Sequence, residues 1–115
     1  MIQQTDLRLI KKMVEKINHL IEILSKNGRD KIQSEYVLSD AIQFEFEKLY
    51  EDSTRLSQEF RFDYGEKLQI DNLRAIRNRV AHNYESVSIK VLLDTIENDI
   101  PKLKNDLEQI IEDNK

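Results

Sequence analysis

The chain has 115 residues, 39% hydrophobic and 35% charged, with 2 glycines, 1 proline, no cysteine and a formal net charge of −4. That is the size of one ordinary domain, and so few chain breakers favour long helices over hairpins. The lack of cysteine excludes disulfides, thiolate catalysis and thiolate metal sites. The pI near 5.2 argues against a non-specific nucleic-acid coat but is compatible with a local cationic patch.

The opening Met1-Ile2-Gln3-Gln4-Thr5-Asp6 has no basic start leading into an apolar stretch. No apolar run approaches the ~18 residues of a membrane span. A cytoplasmic location is the resulting expectation, with no membrane partner.

Four helices are expected. The first runs from about Thr5 to Ser25, where Leu7, Ile10, Val14, Ile17, Ile21 and Leu24 recur at three- and four-residue steps and Leu9, Met13 and Leu20 widen the stripe. Asn27-Gly28 ends it, since both residues tolerate a left-handed terminus. The second runs from about Arg29 to Ser57, marked by Ile32, Tyr36, Val37, Ala41, Phe44 and Leu49. Ser34 and Ser39 can each cap, which allows one break near Ser39. Phe60-Arg61-Phe62-Asp63-Tyr64-Gly65 reads as a loop whose three aromatics plug the end of the bundle, with RNA base stacking as the weaker alternative. The third helix spans about Asp71 to Ala81, with Asp71 as its cap and Leu73, Ile76 and Val80 as its stripe. The fourth spans about Ser88 to Asp113, and Pro101 within it should kink or split it. The fold class is all-α, an antiparallel four- to five-helix bundle forming a single domain over residues 1–115.

Chemistry is concentrated in Leu73-Arg74-Ala75-Ile76-Arg77-Asn78-Arg79-Val80-Ala81-His82-Asn83-Tyr84, which holds three arginines, two asparagines, a histidine and a tyrosine. At ~100° per residue, Asn78 and His82 share a helical face, and so do Arg77 and Tyr84 if the helix continues. Arg77 and His82 diverge by ~140° on one straight helix. They converge only if the helix ends or bends between them, with Asn83 available as a left-handed cap, or if a second subunit crosses with its own copy. A histidine beside arginines and amides suits phosphodiester chemistry. The imidazole passes a proton near neutrality, and guanidinium groups hold phosphate and stabilise charge building on it. That scheme needs no metal, and no carboxylate cluster at helical spacing suggests one. On residue types alone the simpler reading is a helix C-terminus where Arg79 and His82 favour the dipole. His19 reads as a histidine at the edge of an apolar face. Glu47 either faces the motif and orients Arg77 or is an ordinary surface glutamate.

The run Arg77-Asn78-Arg79-Val80-Ala81-His82-Asn83-Tyr84 has the form R-N-x-x-x-H-x-Y and resembles the signature of HEPN domains, most closely the HepT-like branch. Leu38-Ser39-Asp40-Ala41-Ile42 looks like that branch's second-helix opening, and Asp99-Ile100-Pro101-Lys102-Leu103 resembles its fourth-helix segment. The resemblance implies a helical bundle that pairs into a homodimer and acts as a metal-independent ribonuclease toxin with a composite site at the dimer interface. It implies no cofactor, and as partner a small MNT-type nucleotidyltransferase acting as antitoxin. By position, Arg77 and His82 match the catalytic pair and Asn78 the polar residue beside the arginine. Tyr84 matches the tyrosine that the antitoxin adenylylates. Arg74 and Arg79 are candidate RNA phosphate contacts, and Glu47 a supporting residue. Where the family often carries Gly-Glu-Ala, this chain has Phe46-Glu47-Lys48, so helix two should pack differently there. The acidic pI fits a narrow substrate such as a tRNA end better than broad RNA degradation. Two other readings stand beside this one: a non-catalytic subunit serving a nucleotidyltransferase, and an acidic helical adaptor with no nucleotide partner.

Overall fold

The computed structural model describes residues 2–82 and 86–115, and for residues 79–82 and 86–88 the backbone alone. The described residues form seven α-helices in the order α1 (Gln4–Asn27), α2 (Arg29–Ser34), α3 (Tyr36–Thr54), α4 (Gln58–Leu68), α5 (Ile70–His82), α6 (Ser86–Asn98) and α7 (Ile100–Asp113). The all-α expectation holds, and the additional helices come from breaks in segments read as continuous and from one segment read as a loop.

Helix α1 buries Leu9, Ile10, Met13, Ile17 and Leu20, so its buried face centres on the residues expected to widen the stripe, while Leu7, Val14, Ile21 and Leu24 are only partly buried. Gly28 stops it at φ 80, ψ 159, a conformation essentially reserved for glycine. A Cβ built there meets nothing within 4 Å, so the requirement lies in the backbone angles and not in packing. The expected long second helix is divided at Glu35, which leaves helical geometry at φ −111, ψ 111. The break falls four residues before Ser39. That serine does not cap; its Oγ donates to the Ile32 carbonyl at 2.6 Å and ties the two helices across the junction.

The aromatic segment is a helix, not a loop. Ser57 starts α4 by accepting the Phe60 N–H at 3.1 Å on its hydroxyl. Phe60, Tyr64 and Leu68 then recur four apart, and this stripe outweighs the roughly 1 kcal/mol cost of a glycine inside a helix. Phe60 is buried and its ring lies 4.9 Å from that of half-buried Tyr64, so these two do plug the bundle end. Phe62 points the other way and is 91% exposed. Gln69, left-handed at φ 53, ψ 46, is the one residue between α4 and α5. Because α5 begins at Ile70, Asp71 lies in its first turn instead of capping it, where its charge still favours the dipole. Pro101 splits the fourth helix: the chain breaks at Asp99, and the proline occupies the first turn of α7, where a missing N–H costs nothing.

Contacts between helices give their directions. Asp6 near the start of α1 meets Ser57 just past α3, and His19 Nδ1 lies 3.1 Å from Glu45 Oε2, so α1 and α3 are antiparallel. The Ile2 N–H donates to Asn114 Oδ1 at 3.4 Å, which sets α7 antiparallel to α1. Helix α5 lies antiparallel to α3, with Ile70 near Ser53 and Arg77 near Glu47. The core between them is continuous from Ile10, Met13 and Ile17 through Ile42 and Leu49 to Leu92, Leu93 and Ile96. Each such side chain contributes about 1.5–3 kcal/mol on full burial. Helix α2 is held to α6 by Arg29, whose guanidinium reaches Asp94 at 2.8 Å and Glu97 at 3.3 Å. The hydrogen bond that Arg29 donates to Asp94 raises the arginine's pKa above its ordinary value.

Candidate active site

Helix α5 carries the R-N-x-x-x-H segment from Arg77 to its last residue, His82. Its stripe of buried Leu73 and half-buried Ile76 seats it against α3 and α6 and leaves Arg74, Arg77 and Asn78 exposed. Tyr84 and Asn83, the proposed modification site and cap, lie outside the described residues, as do the side chains of Arg79 and His82.

Glu47 on α3 faces Arg77, with Oε1 3.6 Å from Nε. Both side chains are close to half exposed, 44% for the arginine and 48% for the glutamate. At this distance and exposure the pair is an ion contact of about 0–1 kcal/mol, enough to bias an orientation and too weak to hold the fold. Tyr50, one turn along α3, presents its ring to the same guanidinium, with Cζ 5.5 Å from the ring centroid. That is cation–π range and adds a second restraint on Arg77. Tyr50 was not singled out in the sequence; its three-residue spacing from Glu47 was the available signal.

Beneath Arg77 is a cavity of about 60 Å³, lined on the α3 side by Gln43, Phe46, Glu47 and Tyr50 and closed by Leu73, Ile76 and Leu92. Phe46 is buried and forms part of this floor. A bulky ring thus sits below the Glu47–Arg77 pair.

The backbone decides one geometric alternative. Helix α5 is unbroken through His82, so no bend or terminus lies between Arg77 and His82. Their Cα atoms therefore differ by ~140° around the helix axis, while Asn78 and His82 stand on one face. His19 is remote from all of these, paired with Glu45 between α1 and α3. Among the described residues no group of three or more His, Cys, Asp or Glu is placed to hold a metal ion, and no helix is long and apolar enough to cross a membrane.

Residues 10–110 match the family model described as ribonuclease HepT-like. The chain belongs to the ribonuclease HepT-like family. The HepT-like match takes in α3, α5 and nearly all of α7, and with them Glu47, Tyr50, Arg77 and His82. Comparison with curated proteins and with solved structures gives no match.

Proposed function

We propose that the chain is the ribonuclease toxin subunit of a HEPN/MNT pair, one HEPN-like domain over residues 1–115 that works in the cytoplasm as a homodimer. Family membership supports RNA as the substrate class. The observation that carries the composite site is the unbroken α5. With α5 helical through both Arg77 and His82, this reading brings a guanidinium and an imidazole together across an isologous dimer. It also supplies two copies of His82, one for each proton that must move.

In the proposed reaction one imidazole takes the proton of a ribose 2′-hydroxyl. O2′ then bonds to phosphorus, the P–O5′ bond breaks, and O5′ receives a proton from the second imidazole. Arg77 stabilises the charge on the pentacovalent phosphorus. Asn78, on the face of His82, orients the imidazole. Glu47 and Tyr50 hold Arg77 in place, and Arg74 and Arg79 contact flanking phosphates. The scheme uses no metal ion and no cofactor. An MNT-type nucleotidyltransferase would neutralise the toxin by adenylylating Tyr84, which adds bulk and negative charge where RNA phosphate binds.

The test is cleavage of RNA, tRNA included, by purified wild-type and His82→Ala chains. Loss of cleavage with unchanged helical content is the expected result. Cleavage at the wild-type rate by His82→Ala removes His82 from the mechanism. Harmless accumulation of the wild-type chain expressed alone, with no cleavage in vitro, favours a non-catalytic subunit instead.

A further inference from the structure

Along the seam between α3 and α5, the cavity under Arg77 is followed by a second, polar one of about 210 Å³. It is lined by Tyr50, Ser53, Thr54, Arg61, Asp71 and Arg74 among others, and Tyr50 is common to both. Arg61 reaches it from α4 with a fixed guanidinium: Nε donates to the Leu56 carbonyl at 3.2 Å and Nη2 to the Ser53 carbonyl at 2.7 Å. Among the described residues its Nη1 makes no hydrogen bond, and neither Arg61 nor Arg74 forms an ion pair. Of the three hydroxyl side chains in the wall, Ser53 Oγ donates to the Tyr50 carbonyl and Thr54 Oγ1 to the Glu51 carbonyl, each at 2.6 Å, which leaves the Tyr50 phenol beside the guanidinium groups. The donors left for a ligand are therefore chiefly the two guanidinium groups. Asp71 opposes them, so the charged side chains in the wall sum to one positive charge.

We propose that this pocket is a phosphate subsite, holding an RNA phosphodiester group that neighbours the one cut at Arg77. The inference rests on the ribonuclease reading above. A guanidinium pinned by two carbonyls loses little further freedom when it binds, and its planar edge matches phosphate oxygens. Arg74 and Arg77 are three residues apart on α5, about 4.5 Å along its axis. A strand lying in the seam meets Arg77 at one cavity and Arg74 with Arg61 at the next. Such a track reconciles phosphate binding with an acidic chain, because the positive field is confined to one groove.

The experiment measures binding of the full chain to a short 2′-O-methyl RNA oligomer, which lacks the attacking hydroxyl, by fluorescence anisotropy from 50 to 200 mM salt. On single strands each neutralised phosphate contributes about −0.7 to the slope of log K against log salt. Arg74→Gln and Arg61→Gln should each flatten the slope by roughly 0.7 and weaken binding about tenfold at low salt, and Asp71→Asn should tighten it. Because Arg61 also closes the end of α3, Arg74→Gln and Asp71→Asn decide the matter if Arg61→Gln does not fold. Unchanged slopes overturn the subsite; the ribonuclease reading then stands if wild type cleaves and His82→Ala does not. A wild-type chain that fails to bind the oligomer and fails to cleave RNA overturns both.

Discussion

Replacing Asp6 by alanine should cost this protein a large share of its stability, although the residue lies on the helix farthest in sequence from the α5 motif. Asp6 is 2% exposed, and its carboxylate accepts the Ser57 N–H at 2.8 Å and the Ser57 hydroxyl at 2.6 Å. The same hydroxyl accepts the Phe60 N–H, so Asp6 fixes the residue that starts α4. Hydrogen bonds to a charged acceptor are worth about 1.5–3 kcal/mol each, which gives roughly 3–6 kcal/mol for the pair. Against a total stability of about 5–15 kcal/mol that is close to half. In a urea titration with a slope of about 2 kcal/mol/M the midpoint should fall by roughly 1.5–3 M with the slope unchanged. Asp6→Asn keeps an acceptor for the N–H and gains a donor for the hydroxyl, so it should cost only about 1–2 kcal/mol. A double-mutant cycle with Ser57→Ala should show strong coupling, since both residues belong to one network. A midpoint shift below about 0.5 M for Asp6→Ala would mean that the carboxylate's desolvation cancels its bonds, and the reasoning fails.

Gly28→Ala should destabilise by about 1–3 kcal/mol through backbone strain alone, because φ 80, ψ 159 is unfavourable to any L side chain while space for the Cβ is open; denaturation at equilibrium measures it. Leu20→Ala removes a side chain with no solvent exposure from the α1 face and should cost about 2–5 kcal/mol, read the same way. Glu47→Gln should change stability by less than about 1 kcal/mol, given a half-exposed pair at 3.6 Å, yet slow RNA cleavage by loosening Arg77. The diagnostic is a fall in kcat larger than any rise in KM; equal activity would reduce Glu47 to surface decoration.

The helices that were legible in the sequence are those whose apolar residues recur over many turns. Helix α1 and the run through α7 show Leu and Ile at steady three- and four-residue steps, and both bury a broad face drawn from those runs. The break at Pro101 is legible because its cause is local, whereas the break at Glu35 is not. Glu35 has no turn-forming chemistry of its own; the chain departs there so that α2 can bury Ile32 and bring Arg29 to α6. Helix α4 is hard to see in the sequence because its three aromatics do not lie on one face: Phe60 is buried and Phe62 is exposed. Only Phe60 and Tyr64 share a helical face, and Leu68 completing the stripe was the overlooked sign. At the site, residue types and spacing picked out Arg77, His82 and Glu47, but Tyr50 and Arg61 came into view only when tertiary packing set α3 and α4 beside α5.

The contact between Ile2 and Asn114 has a practical corollary. Residues 2 and 114 lie together, and the neighbouring Gln3 donates to Glu59 in the first turn of α4. His82 closes α5 some 18 Å from its start at 1.5 Å per residue. An affinity tag, a fluorescent fusion or a tethered second polypeptide attached beside Ile2 or Asn114 therefore starts near the first turn of α4 and away from the last described turn of α5. A short bridge joining the two extremities would also permit new chain openings elsewhere, giving permuted variants in which α5 keeps its neighbours.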